Sequence, residues 1–289
     1  MFCLVNNFYR LKNPHPRTLL QLEQVFFICL YIILGLGSGF IGGLLGIGGG
    51  VVIVPALVIS YDLTRRFAPE QSLLIAVATS LACIIFTSAS AGYTQYRAGK
   101  VRWDLFQKLL GFLLLGSFLA GWIAPLLPPE VFRGFIGIFL ATVAVIMLSN
   151  WQPDPKRSFP GYLGSASLGL GGGIAAGLAG IAGGNVIVPS LVFFNTPIHN
   201  ATATASALGV PIALMGTVGY LSSSGFALDQ GTLGYIDLYA FVPIVIGALI
   251  AAPQGVRFAH KVPAAKLKKL FGLLLVVVSL RMLYSAAAF

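Results

Sequence analysis

Residues 43–55 read GLLGIGGGVVIVP, and residues 177–189 read GLAGIAGGNVIVP. Five of the thirteen residues in the first stretch are glycine, and a proline closes an apolar run. Glycine removes side chains and admits positive φ, so a run such as Gly48–Gly50 breaks a helix rather than continuing it. Residues 22–60 would be about 58 Å long as one helix, nearly two membrane thicknesses, so they must be at least two pieces. The ten residues VVIVPALVIS after the glycines suit a half-helix or re-entrant segment better than a full crossing. The same holds for NVIVPSLVFFN at 185–195.

The rest of the chain agrees with a membrane setting. Hydrophobic residues make up 57% of the 289 positions, charged residues only 9%, and the mean hydropathy is +0.90. Soluble domains carry about a quarter charged residues, so this chain has too little polar side chain to cover a water-exposed surface. Apolar segments at 71–95, 105–126, 131–150, 162–182, 200–224, 236–256 and 267–286 are long enough to span a bilayer. The first apolar run, from about Val25, reads as a membrane segment rather than a cleaved signal. The net charge of +10 comes from Lys and Arg between apolar segments, which is membrane topology rather than nucleic-acid binding. Cys3, Cys29 and Cys83 form no spaced cluster, so neither a disulfide frame nor a metal site is expected.

The two broken stretches belong to a longer repeat. Residues 39–57 and 173–191 are identical at 12 of 19 positions without a gap, with an ordered glycine–proline frame. Downstream, AVATSLA at 76–82 echoes ATATASA at 201–207. The expected organisation is an N-terminal extension (1–21), a membrane repeat (22–150), a polar linker (151–161) and a second membrane repeat (162–289). Loop 96–104 carries Arg97, Lys100 and Arg102, whereas its counterpart 225–235 carries only Asp229. Loop 127–132 carries only Glu130, whereas 256–269 carries five Lys and Arg. Positive loops prefer the cytoplasm, so by the loop comparison the repeats are expected to be inverted, each crossing an odd number of times; a parallel four-plus-four arrangement with the N-terminus inside is the alternative that the total Lys and Arg count leaves open. Five crossings satisfy this, and so do three plus a re-entrant hairpin. Both leave Arg10, Lys12, Arg17, Arg65 and Arg66 on the outer side. The fold class is therefore an all-α polytopic membrane protein with about 8–10 hydrophobic segments, some of them broken.

Non-helical backbone at membrane depth survives only when buried in protein or lining a wet cavity. Two such breaks at matched positions of two repeats point to a transporter binding site. A helix starting after each break would offer its N-terminal amides and positive dipole end to an anion. Gly48, Gly49, Gly50, Gly183 and Gly184 are the candidates, with Asn185 directly after the second break. Thr79, Ser80, Thr204 and Ser206 lie in the matched small-residue runs, although hydroxyls in membrane helices often bond their own backbone. The outer glycines, such as Gly35, Gly39, Gly43, Gly173 and Gly177, equally suit close helix packing. Gly46, Gly48 and Gly50 loosely match a dinucleotide fingerprint, but the strand–turn–helix context is missing. No ionisable side chain lies clearly at mid-membrane. No catalytic residue, metal ligand or cofactor site is read, so an enzyme is not expected.

The motif G-x-x-G-x-G-G-G-x-x-x-x-P at 43–55, its echo at 177–189 and A-x-x-T-S at 76–80 resemble the TauE/SafE family, the sulfite exporter or toluene-sulfonate uptake permease group. The resemblance covers about 25 to 286, departing at T-A-S, 204–206. It implies a multi-pass, bacterial-type inner-membrane permease for a small anion, often sulfur-containing (sulfite, sulfonate or sulfoacetate). A coupling ion, H+ or Na+, would be its further partner. A passive anion channel is the alternative.

Overall fold

The computed structural model describes residues 16–149, 159–226, 228–229 and 231–287. Most of the expected N-terminal extension and linker lie outside these residues. Ten α-helices are described: α1 (Pro16–Leu45), α2 (Gly50–Thr64), α3 (Pro69–Arg97), α4 (Trp103–Ile123), α5 (Pro129–Leu148), α6 (Tyr162–Ala179), α7 (Gly184–Phe193), α8 (Ile198–Ser223), α9 (Leu238–Ala259) and α10 (Ala264–Ala287). Three two-residue strands, β1 (Leu228–Asp229), β2 (Thr232–Leu233) and β3 (Ile236–Asp237), form an antiparallel meander between α8 and α9. Seven helices are long and apolar enough to cross a membrane, among them Val25–Leu45 of α1. The protein is an all-α polytopic membrane protein.

Local sequence sets the ends. Pro69 opens α3 and Pro129 opens α5, each followed by a glutamate in the first turn, where fixed φ and negative charge both suit a helix start. Asp237 caps α9, its side chain accepting from the Tyr239 amide, as an N-cap aspartate does.

Helix α2 doubles back along α1, and the Tyr31 and Ser60 hydroxyls meet at 3.0 Å. Helix α7 doubles back along α6, which brings the Phe194 ring to 5.5 Å from that of Phe159.

Helix packing uses the outer glycines. Gly35, Gly39 and Gly43 face the backbone of Ile244, Ala248 and Ala252, so α1 and α9 run parallel in close contact. Gly173 faces Leu113 and Gly177 faces Ser117 and Ala120, so α6 and α4 also run parallel. Small residues at four-residue spacing allow this approach. In the centre α3 and α8 run antiparallel: Gly92 faces Ser206, Ser88 faces Gly209, and Leu81 faces Gly216. Helix α5 packs on α10 at the periphery. Exchanging the first five helices with the last five turns the α1–α9 contact into α6–α4, and maps α3–α8 and α5–α10 onto themselves.

Candidate functional site

The two helix breaks meet in the middle of the protein. In the first, Gly46 (φ 72°) ends α1 and Gly49 (φ 83°) caps α2; in the second, Gly180 (φ 66°) ends α6 and Gly183 (φ 72°) caps α7. Left-handed backbone at both ends of each break is what glycine permits at no steric cost. The breaks touch reciprocally: a Cβ on Gly50 would strike the Gly180 carbonyl, and one on Gly184 would lie 2.6 Å from the Gly46 carbonyl oxygen. All residues from Gly46 to Gly50 and from Gly180 to Gly184 are buried.

One face of α3 lines this centre. Ser80 donates to the Gly180 carbonyl at 2.8 Å, and Thr87 to the Gly48 carbonyl at 2.7 Å. The seven-residue spacing is two turns, which puts both hydroxyls on the same side of the helix. Each break is thereby pinned through one carbonyl, while several of its amides stay unused. Among the described residues, no backbone acceptor serves the N–H groups of Gly48, Gly49, Gly50 and Val51, nor those of Ala182, Gly184 and Asn185. Neither helix start has a side-chain cap. Pro55 and Pro189, inside α2 and α7, also lack the amides that would bond the Val51 and Asn185 carbonyls.

Three buried side chains on the elements that carry or line the breaks have polar atoms without partners: the Ser88 hydroxyl, the Ser206 hydroxyl, and both the carbonyl and the amino group of Asn185. Ser88 and Asn185 are fully buried and Ser206 is 1% exposed. Ser88 Oγ lies 2.7 Å from where a Gly48 Cβ would be, so it points into the first break. Asn185 sits in the first turn of α7 and lines a mostly apolar cavity of about 360 Å³ on the α5 side of that helix, with Phe139, Thr142, Leu168 and Ser190. A buried polar group without a partner costs about 1–3 kcal/mol. Native folds keep few of them, so each of these groups calls for an explanation.

The sequence candidates divide here. Gly48, Gly49, Gly50, Gly183 and Gly184 form the meeting point and Ser80 braces it, while Asn185 follows the second break on the α5 side and Ser206 lies on α8 between Thr202, which faces Gly46, and Gly209, which faces Ser88. Thr79 and Thr204 are committed elsewhere: Thr79 accepts from the Asp237 amide at 2.9 Å and Thr204 from the Arg102 amide at 3.0 Å. Each fastens the start of a helix, α9 or α4, and Thr204 also donates to Asn200 at 2.8 Å. Sequence reasoning missed Ser88, which only the α3–α8 pairing places. It also missed a fully buried carboxylate. Asp237 pairs with Arg66 at 3.1 Å and accepts from Tyr61 at 3.1 Å. Burial pushes its carboxyl above the ordinary aspartate range, against the opposing pull of Arg66 and Tyr61. Its N-cap position before an apolar run was the available signal.

The Sulfite exporter TauE/SafE family matches residues 31–282, which take in both breaks and all four hydroxyl candidates. The chain belongs to the TauE/SafE family. A "Probable membrane transporter protein" of Haemophilus influenzae is 32% identical over 262 residues, covering 89% of this chain and 98% of that protein. Similar proteins so described occur in Bacillus subtilis (24% identical, covering 89% of this chain and 99% of that protein) and Methanocaldococcus jannaschii (26%, 91% and 98%). No solved structure matches. This TauE/SafE protein is a multi-pass membrane transporter of a family of transporters, not of enzymes.

Proposed function

We propose that the protein is a secondary permease for a small anion, sulfur-containing as in sulfite, a sulfonate or sulfoacetate, bound where the two breaks meet. The observation that carries this reading is the facing pair of uncapped helix starts with the orphan polar groups of Ser88, Asn185 and Ser206 beside them. Helix N-terminal amides and dipoles favour negative charge. Every buried unpaired side chain there is a hydroxyl or an amide, which can donate to oxyanion oxygens. The family description names sulfite, and the anion class follows that description.

We further infer that the halves 22–150 and 162–289 are inverted repeats. The 12-of-19 identity and the antiparallel α3–α8 pair support this. In such a pair the two hairpins can exchange roles on opposite sides of one site, which is the geometry of alternating access. Coupling would run on H+ or Na+.

The test is uptake into proteoliposomes, with sulfite, thiosulfate, sulfonates and carboxylates in turn and with an imposed pH or Na+ gradient. A carrier gives saturable uptake and counterflow of one anion class. Linear flux with single-channel currents favours the passive channel, and no anion flux in any condition refutes the reading.

A further inference from the structure

A second cavity, of about 630 Å³, opens at the corner between α2 and α3. Four arginines line it, Arg65, Arg66, Arg133 and Arg281, against a single carboxylate, Asp62. This is a concentrated charge for a chain with only 18 Lys and Arg. The residues come from three places that the sequence does not connect: the α2–α3 turn, the first turns of α5, and the end of α10.

The arginines are held rather than scattered. Arg133 is 2% exposed and donates to the Pro69 carbonyl at 3.3 Å and to Ser72 at 3.4 Å. Arg66 pairs with buried Asp237 and lies over the Tyr239 ring at 4.7 Å. Among the described residues, no carboxylate forms an ion pair with Arg65 or Arg281. Arg65 ends α2 in the left-handed conformation, φ 49°, where glycine or asparagine is the usual choice. Both breaks use glycine at the same step, Gly46 and Gly180, so a large cation at this corner is an exception.

We propose that this cavity is an oxyanion-binding site that takes a sulfonate-, sulfate- or phosphate-like group. Guanidinium forks match such groups through paired, charge-assisted bonds. A cleft lined by one sign of charge also raises the local concentration of its counter-ion. The loop-charge pattern puts this corner on the outer side, the face on which positive residues are disfavoured. An anion-recruiting role accounts for Arg65 and Arg66 standing there. Helix α2 links the two places, running from Gly50 at the first break to Tyr61 and Asp62 at the cavity, roughly 17 Å at 1.5 Å per residue. The proposal rests on the anion-permease reading only for the free anion that passes on to the breaks. The same chemistry would hold the phosphate of an acidic lipid.

The experiment uses full-length protein in phosphatidylcholine nanodiscs and reads thermal stabilisation by sulfate against chloride at equal ionic strength. The variants are Arg65→Gln with Arg281→Gln, each single change, and Ser88→Ala at the break. Sulfate-specific stabilisation should persist in Ser88→Ala, and its midpoint should rise about tenfold or more in the double variant. If the double variant does not fold, the single changes carry the comparison. Phosphatidylglycerol in the discs distinguishes the sources. A severalfold rise in the sulfate midpoint means that a lipid phosphate competes for the cavity, and an unchanged midpoint means that the free anion occupies it. Equal sulfate responses in wild type and the arginine variants overturn the proposal. Loss of the response in Ser88→Ala alone overturns it too and leaves the break as the anion site, while persistence in Ser88→Ala alongside failed transport counts against the permease reading only.

Discussion

Replacing Ser88 by alanine separates a binding hydroxyl from a structural one, because the two roles predict opposite signs. Ser88 is fully buried, its hydroxyl has no partner, and it points at Gly48. An unsatisfied buried hydroxyl costs about 1–3 kcal/mol, so its removal leaves the empty protein as stable or more so, by up to about that amount. At about 2–4 °C per kcal/mol for large domains, the shift is measurable by thermal unfolding. Binding moves the other way. A hydrogen bond to a charged ligand is worth about 1.5–3 kcal/mol, so the apparent affinity should fall roughly tenfold to 150-fold. Ser117→Ala is the comparison, since that hydroxyl donates to the Ile212 carbonyl at 2.8 Å. It should lose about 0.5–1.5 kcal/mol of stability with its affinity kept. The assays are unfolding in detergent without substrate and concentration-dependent sulfite uptake in proteoliposomes. A Ser88→Ala protein that melts lower and takes up sulfite with unchanged half-saturation would refute the reasoning, because the hydroxyl would then be holding the fold.

Further outcomes follow from the same contacts. Gly50→Ala and Gly184→Ala drive a Cβ into the opposing carbonyl and should cost about 1–3 kcal/mol or more, whereas Gly111→Ala, with nothing within 4 Å, should melt no lower than wild type; equal melting of all three would show that the breaks do not touch. Thr79→Val and Thr204→Val strand the amides of Asp237 and Arg102 and should each lose about 1–3 kcal/mol of stability with substrate half-saturation unchanged, and an affinity change without a stability change would return them to the binding site. Asp237, raised above the ordinary 3.8 by burial, contributes stability that is full below pH 3.8 and lost as pH rises through its higher folded-state value; Asp237→Asn should flatten that part of the melting-temperature profile, and an unaltered slope would mean that another group sets it. Single cysteines at Ala98 and Leu228, in a background without Cys3, Cys29 and Cys83, should label from opposite sides of the membrane, and labelling of both from one side would end the inverted-repeat reading.

Much of the architecture was legible because it follows from one-dimensional rules. Apolar length gives the spans, proline and aspartate mark helix starts, and the doubled glycine–proline frame locates both breaks. Two matters could not be read in this way. Which neighbour VVIVPALVIS packs against depends on contacts such as Tyr31 with Ser60, twenty-nine positions apart. Which hydroxyls serve the site depends on what else each one touches. Thr79 and Ser80 are neighbours in sequence, yet one faces the start of α9 and the other the Gly180 carbonyl. A helix turns about 100° per residue, so adjacent positions necessarily address different neighbours. Ser88 carries no motif at all, and its lack of a partner appears only when α8 presents Gly209 opposite it.

The glycines that first mark the site are for the same reason poor probes of it. Gly49, at φ 83°, has Ser38 backbone 2.6 Å from its would-be Cβ, and Gly50 and Gly184 abut carbonyls. Any side chain there disturbs the fold before a ligand arrives, so loss of transport in a glycine variant does not separate a binding role from a packing role. The discriminating positions are those where the protein already leaves polarity unspent. Asn185 is the sharpest, because its counterpart in the first half is Val51, and an amide with both polar atoms unpaired gives nothing to an empty fold. Asn185→Val restores the apolar residue of the other break and spares an unsatisfied buried amide. If transport persists undiminished in that variant, the second break is a hinge of the helix hairpin and the anion is held by the first break alone.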